Sequence, residues 1–471
     1  MKFLKIATLL ATFYLFSGLT PAKKYNLLFI IVDDLRPELN CYGKNHISSP
    51  NIDKLAASGL QFSEAYCNIP VCGASRASLL TGKRPTRNRF LDYDTYAQKE
   101  VPGIIDWPGL LKNNGYTTIR NGKVNHHIED NAQSWSQIWI PNVPKYWINH
   151  VLPENQKYGD ELTERGVPFE AADVHDTTYV DGKIAVKSIN DLKHFEKTGK
   201  PFLLAVGFFK PHLPFNCPKK YWDMYDTSKI TLPETYLGTQ DAPRAAYNTF
   251  GELRGYANIP KSGQVPDAMA KKLIHGYRAC VSYTDANIGR VIDQLQKSKL
   301  KENTYVILTA DHGFNLGDHG LWCKHSNWKS ALQVPLIIAG PGIKGGQKTA
   351  NISELVDLYP TICDLLNLQK PSHLEGSSLK TSIENPEIKT KDIAISKWYD
   401  GVSIKAGAYL YTQWQKSDTN IYAQMLYNNI LDPLETKNIS QEKGNKSLID
   451  SLSTLIKTYR GKDFFQMPEK E

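Results

Sequence analysis

The stretch from Val71 to Pro85 reads Val-Cys-Gly-Ala-Ser-Arg-Ala-Ser-Leu-Leu-Thr-Gly-Lys-Arg-Pro and sets a thiol, Cys72, four residues before a guanidinium, Arg76. Ser75 to Leu80 reads as the capped opening turn of a helix that stops near Gly82. A reactive group at Cys72 would feel the positive end of that helix and the charge of Arg76, surroundings that suit an anionic substrate. An isolated cysteine in such a place is ordinarily a small, half-buried hydrophobe. A nucleophilic thiolate in a Cys-x5-Arg loop would need arginine where the chain has Ser78.

Other reactive side chains follow apolar runs. Asp33-Asp34 come directly after Leu27 to Val32, and two adjacent carboxylates are costly to bury without a positive partner. A hard cation answers that cost, and an exposed loop after the strand is the plain alternative. Gly122-Lys123-Val124-Asn125-His126-His127 lies beyond a run at Tyr116 to Ile119, and Lys210-Pro211-His212 follows Pro201 to Phe209. Thr304 to Ala310 ends in Asp311-His312-Gly313 and continues through Asn315, Asp318 and His319 to Lys324-His325.

Leu27 to Val32 is an unbroken apolar run too short for a helix and reads as a buried parallel strand, and Tyr116 to Ile119, Pro201 to Phe209 and Thr304 to Ala310 read as further strands. Ligands of open α/β sheets bind outside the carboxyl ends of the strands, so the clusters are expected to converge. Helices are expected from Ser49-Pro50-Asn51 through Ala57, over Asp181 to Phe195, within Met269 to Gln296 and over Leu355 to Leu366, with a fifth strand at Val334 to Ala339. Residues 129–179, rich in Trp, Asn, Pro and charges, read as a long irregular excursion, either a substrate-selecting lid or decoration. After Leu374-Glu375-Gly376 the pattern changes to short alternating strands, including Ala408 to Trp414 and Ala423 to Leu426, and a last helix near Lys446 to Tyr459. The expected architecture is α/β: a large mixed, mostly parallel sheet sandwiched by helices over residues 23–385, and a smaller antiparallel sheet with one helix over 386–471.

Composition agrees with a folded protein. The chain has 471 residues, 41% hydrophobic and 22% charged, enough for a large unit plus a smaller one. Lys2 and Lys5 precede an uncharged, mostly apolar run from Ile6 to about Leu19, followed by small residues near Ala22. This reads as a secretory signal peptide at 1–22, too short to span a membrane. Its removal takes away two lysines and no acids, lowering the formal charge from +8 to +6. No basic helix or nucleic-acid motif accompanies that excess, which disfavours nucleic acid as a partner. Seven cysteines are an odd number for an exported chain. With Cys72 set aside, Cys41, Cys67, Cys217, Cys280, Cys323 and Cys363 are available to pair in any of about 15 ways.

Cys-Gly-Ala-Ser-Arg followed by Leu-Leu-Thr-Gly-Lys-Arg-Pro resembles the signature of the type I sulfatases, members of the alkaline phosphatase superfamily whose signature cysteine is oxidised to formylglycine. The commonest family form has proline where this chain has Ala74 and arginine where it has Lys83. Gly122-Lys123-Val124-Asn125-His126, Lys210-Pro211-His212-Leu213-Pro214-Phe215 and Ala310-Asp311-His312-Gly313 with Lys324 resemble the iduronate-2-sulfatase branch. His312 stands where most sulfatases carry asparagine, as in that branch. The closing Leu426-Tyr427-Asn428 and Asp432-Pro433-Leu434-Glu435-Thr436-Lys437-Asn438 are similar to the family's C-terminal segment.

The resemblance implies a site and a reaction. Asp33, Asp34, Asp311 and His312, with an oxygen of the modified Cys72, would hold Ca2+, with manganese or magnesium as alternatives because imidazole is an unusual calcium ligand. Lys123 and Lys324 would grip sulfate oxygens, and Arg76 would steady the nucleophile and the metal carboxylates. His126 would handle the proton of the hydrated aldehyde, and His212 would protonate the leaving alcohol. The implied protein is an exported, periplasmic or secreted sulfatase acting on a sulfated carbohydrate, matured by a formylglycine-generating or anaerobic sulfatase-maturating enzyme. The alternatives are a phosphonate or phosphate ester hydrolase of the same superfamily and a catalytically silent binder of sulfated glycans. Arg84, Arg87 and Arg89 read as exposed structural arginines, with polyanion contact as the other reading.

Overall fold

The computed structural model describes residues 24–143, 148–161, 165–417 and 420–460, so the expected signal peptide at 1–22 lies outside the described residues. Its centre is the apolar run of strand β1 (Asn26–Val32), buried along its whole length. The other strands of the same sheet are β2 (Gly59–Tyr66), β3 (Thr117–Gly122), β4 (Gln137–Trp139), β5 (Phe202–Phe208), β6 (Thr304–Ala310), β7 (Gln333–Ala339) and β8 (Gln347–Glu354). They lie in the order β8-β2-β7-β6-β1-β5-β3-β4. β1 pairs in parallel with β5 and β6, β3 pairs in parallel with β5, and only β7 runs against its neighbours. The sheet is mixed and mostly parallel, as expected.

Register brings the strand ends together. Val32 stands opposite Phe208 on one side and Ala310 on the other, and Gly122 stands opposite Gly207. The residues that follow β1, β3, β5 and β6 therefore leave the sheet at one edge within about one residue of each other. Two glycines make the closest approach possible. A Cβ on Gly207 would lie 2.1 Å from the carbonyl oxygen of Lys123, and Gly122 has φ +73. Their absent side chains let Lys123 N–H donate to the Gly207 carbonyl at 2.9 Å.

Helices cover the sheet. The expected helix near Met269 is one continuous helix, Asp267–Lys297, and that near Asp181 is Val180–Thr198. The strands β2 and β8 were not anticipated, and residues 129–179 hold more structure than expected. Besides β4 they contain a helix, Pro153–Glu161, and a short strand, Phe169–Ala172.

The C-terminal sheet has four antiparallel strands, β9 (Ile393–Trp398), β10 (Gly401–Ala406), β11 (Tyr409–Ser417) and β12 (Asn420–Asn428), in sequence order. Period-2 alternation gives it two buried faces. Ile393, Ile395, Val402, Ile404 and Leu426 pack against Ile449, Leu452 and Ile456 of the helix Lys446–Arg460, whereas Ala394, Met425 and Tyr427 join the main core. Lys397 N–H donates to Asn68 O at 2.8 Å and Asn68 Nδ2 donates to Ile395 O at 3.0 Å, tying β9 to the segment just before Cys72.

All seven cysteines are free, Cys41 half-buried and the others buried, which corrects the expectation that six could pair. Apart from Cys72 they act as small residues of the core, where Cys217 and Cys280 lie side by side.

Candidate active site

Cys72 is the first residue of a helix, α-helix Cys72–Thr81, whose ten residues are all buried. The helix starts three residues before the turn expected at Ser75, and Val71 at its N-cap offers no side-chain cap. Ser75 is engaged elsewhere, its hydroxyl donating to Asp311 O at 2.5 Å. Gly82 closes the helix in the left-handed region, φ 69, as its sequence position suggested.

Arg76 organises the carboxylates. Its guanidinium, 1% exposed, donates through Nε to Asp311 Oδ2 and through Nη2 to Asp33 Oδ1, both at 2.9 Å. Nη1 donates to the carbonyls of Lys123 and Val124, so one side chain clamps the ends of three strands. Lys123 Nζ reaches Asp33 Oδ2 at 2.5 Å. Burial would raise the Asp33 pKa, but the Lys123 and Arg76 charges outweigh it and hold this carboxyl well below its ordinary range.

A nest of ligand atoms opens between these groups. Atoms of Asp33, Cys72, Asp311 and His312, all four residues buried, lie within 4.8 Å of one another. His312 Nε2 stands 3.2 Å from Cys72 Sγ, and Nδ1 faces the Gly313 carbonyl at 3.0 Å. The carbonyl can only accept, so Nδ1 carries the hydrogen and Nε2 presents its lone pair to the nest. The fifth expected ligand, Asp34, adjoins this group: its Oδ1 is 3.4 Å from His312 Nδ1 and 3.3 Å from Lys324 Nζ. That oxygen is buried and accepts no hydrogen bond, and burial pushes the Asp34 carboxyl up to about 7. The carboxylates of Asp33 and Asp311 meeting the Nε2 lone pair, with the unpartnered Oδ1 of Asp34 nearby, fit a divalent cation. Burial, reinforced by Asp33, also pushes the Cys72 thiol well above its ordinary pKa, so an unmodified thiolate is disfavoured here.

A cavity of about 560 Å³ opens over this nest, lined among others by Cys72, Lys123, His126, His212, Lys324 and Tyr93. His126 is held at about 2, mainly by burial and then by the Lys123 charge, and so remains neutral. His212 Nδ1 faces Leu213 O at 2.5 Å and Nε2 faces Glu252 Oε1 at 3.1 Å. Two acceptors favour its doubly protonated ring, while burial and Lys324 draw its pKa below the ordinary value.

Glu252 had no signal in the sequence. It lies on the short helix Gly251–Arg254, far along the chain from both of its partners. Its carboxylate meets Lys324 Nζ at 2.8 Å and His212 Nε2 at 3.1 Å. Burial would raise its pKa, but Lys324 and His212 keep it well below the usual carboxylate range. Ile140, Ile148 and Arg165, from the excursion at 129–179, also line the cavity. Arg84 and Arg89 are less exposed than expected. Arg84 pairs with Glu354 at 2.5 Å and Arg89 with Glu375 at 3.3 Å, which gives both a structural role.

Residues 25–368 match the family described as Sulfatase, and residues 317–462 match N-sulphoglucosamine sulphohydrolase, C-terminal. Iduronate 2-sulfatase of Mus musculus is 30% identical over 522 residues, spanning 91% of this chain and 93% of that one. Its Homo sapiens counterpart is 34% identical over 393 residues, spanning 74% and 70%. BT4656, solved in complex with its substrate D-glucosamine-2-N,6-O-disulfate, has a TM-score of 0.76 at 23% identity over 95% of this chain and all of that one. The phosphonate monoester hydrolase of Agrobacterium radiobacter has a TM-score of 0.75 at 20% identity, covering 94% and 96%. These two solved structures share the fold.

Proposed function

The chain belongs to the sulfatase family and is a sulfuric ester hydrolase, and from that premise we propose that it is an exported enzyme removing sulfate esters from a sugar or sulfated polysaccharide. One observation carries the reading: Cys72, Asp33, Asp311 and His312 meet within 4.8 Å, beneath a cavity that Lys123, His126, His212 and Lys324 also line.

In this reading a formylglycine-generating or anaerobic sulfatase-maturating enzyme oxidises Cys72 to formylglycine with loss of its sulfur, and the aldehyde adds water to become a gem-diol. Asp33, Asp34, Asp311, His312 and an oxygen at position 72 would hold a divalent cation, calcium in the first instance with manganese or magnesium as alternatives, and such an ion would supply Lewis acidity at this site. Arg76 fixes Asp33 and Asp311 so that neither carboxylate swings away. Lys123 and Lys324 bind sulfate oxygens. One diol oxygen gives up its proton to water and attacks sulfur, the bond from sulfur to the sugar oxygen breaks, and His212 gives that sugar oxygen a proton. The second hydroxyl then loses its proton to His126, the aldehyde re-forms, and the carbon–oxygen bond to sulfate breaks. Serine at position 72 has no second hydroxyl and could not complete that cycle.

The shared fold of a phosphonate monoester hydrolase keeps phosphorus esters in the test. Mass analysis of the peptide spanning Cys72 is expected to show the aldehyde. Assays of sulfate, phosphate and phosphonate esters are expected to favour sulfate, and sulfated glycans are expected to release it. A large preference for phosphorus esters, or glycan binding without sulfate release, would overturn the reading.

A further inference from the structure

We propose that the C-terminal sheet carries a carbohydrate subsite beside the catalytic cavity, an aromatic cleft that holds the sugar residue next to the sulfated one. The inference rests on the reading of the enzyme as a sugar sulfatase and adds to it where the rest of the glycan lies.

The cleft has a volume of about 390 Å³, within the range of small-ligand sites, and Trp398, Tyr399, Asp400, Trp414 and Tyr422 form its C-terminal wall. Gly251 and His325 line both this cleft and the catalytic cavity, so a chain running out of one enters the other. The His325 ring stacks on Trp398, with centroids 5.0 Å apart and planes at 15°. Tyr399 meets the same indole edge-on at 4.4 Å and 73°. The aromatic surface is thus continuous from the rim of the catalytic cavity to the hairpin tip.

Two features set this surface apart from ordinary packing. Tyr399 is 52% exposed and Tyr422 48%, neighbouring rings left open to water on one side of a cleft. Tyr399 also occupies a costly backbone position. Trp398 pairs with Gly401 across β9 and β10, which leaves Tyr399-Asp400 as a two-residue hairpin loop, and Tyr399 has φ 46. Glycine or asparagine fits that left-handed position more cheaply than a bulky ring. The strained tyrosine projects an aromatic face where turn chemistry alone would not place one.

The chemistry of the lining selects the occupant. Among the described residues the cleft has no lysine or arginine, so it is not built for a second sulfate. It offers flat rings with polar edges, and Tyr422 Oη donates to Asp400 Oδ2 at 3.1 Å. A pyranose has the matching shape, an apolar C–H face to lie on a ring and equatorial hydroxyls to donate to a carboxylate.

The test compares Tyr399→Asn, which keeps a residue suited to the left-handed turn, and Tyr422→Ala with the unaltered enzyme. The substrates are p-nitrophenyl sulfate, a sulfated monosaccharide, and tetrasaccharides carrying the same ester, prepared from heparin, chondroitin sulfate and carrageenan. For the tetrasaccharide that the enzyme accepts, each variant is expected to lose about 10-fold in kcat/KM, mostly through KM, with aryl sulfate and monosaccharide changed by less than about twofold. In a Cys72→Ala background, calorimetry with that tetrasaccharide should show the same loss of affinity. Equal losses on all three substrates, an unchanged tetrasaccharide KM, or an unaltered enzyme that prefers the monosaccharide would overturn the subsite. Hydrolysis of the aryl ester with no sugar sulfate accepted at any length would instead overturn the proposed function on which the subsite rests.

Discussion

Glu252→Gln isolates the residue that the tertiary structure adds to the site. Glu252 Oε1 accepts from Lys324 Nζ at 3.0 Å and faces His212 Nε2 at 3.1 Å, while Oε2 lies 2.8 Å from the same Lys324 Nζ, all inside the cavity. Glutamine preserves the shape but loses the charge, and its NH2 stands donor against donor, 2.8 Å from Lys324 when the amide oxygen takes the Oε1 place or 3.1 Å from His212 when the amide is flipped. A hydrogen bond to a charged group is worth about 1.5–3 kcal/mol, which corresponds to roughly 10- to 160-fold in kcat/KM. The loss should be larger for a sugar sulfate than for p-nitrophenyl sulfate, because only the poor leaving group needs the proton from His212. Lys324 keeps Asp34 at 3.3 Å in the variant, so folding should survive, and calorimetric unfolding should report a Tm within a few degrees of the parent. Two results would refute the reasoning: kcat/KM on the sugar sulfate within about twofold of the parent, or equal losses on both esters at unchanged Tm.

Four further outcomes are expected. Cys72→Ala should abolish turnover while leaving thermal unfolding nearly unchanged, and residual activity above about 1% of the parent would remove residue 72 as nucleophile. Chelation should inactivate the enzyme reversibly and lower its Tm, and activity that survives exhaustive chelation would count against a cation in the Asp33–Asp311–His312 nest. Gly207→Ala should cost activity as well as stability, because the new Cβ would lie 2.1 Å from the Lys123 carbonyl and displace that lysine; an active, stable variant would show that the strand contact is slack. Burial would raise the Asp318 pKa, but Arg36, paired at 2.6 Å, holds it down at about 2. Its folded pKa is depressed, so its stabilisation is present above about pH 4 and lost as pH falls toward 2, an effect of about 2 kcal/mol. Urea unfolding of Asp318→Asn should therefore differ from the parent at pH 7 and converge on it near pH 2; a gap independent of pH would contradict the assignment.

Much of the site was legible because its parts follow local rules. Six consecutive apolar residues ending at Asp33-Asp34, and a mostly apolar run ending at Asp311-His312, report a buried strand and its end without knowledge of any neighbour. Gly82 reported the end of the helix that carries Cys72. The start of that helix was misplaced because Ser75, a good capping residue, donates instead to Asp311 across the fold. Strands β2 and β8 escaped notice because they carry polar residues such as Gln61, Thr349 and Ser353 that are buried only once β2 pairs with β7 and β8, a property of the sheet and not of either segment. The cysteines looked available for bonding by number alone, and the fold leaves all seven free, including Cys217 and Cys280, whose thiols adjoin.

The chain by itself determined which groups could do chemistry and that they stand at strand ends, since periodicity and composition act over a handful of residues. Only the tertiary structure decided the strand order that sets β6 beside β1, and the register that aligns Val32, Phe208 and Ala310. It also decided that Glu252 bridges Lys324 and His212, and that the Tyr399 hairpin abuts the cavity rim. Those contacts join residues tens to hundreds of positions apart, where charge pairing and ring stacking depend on distance in space and leave no period in the sequence.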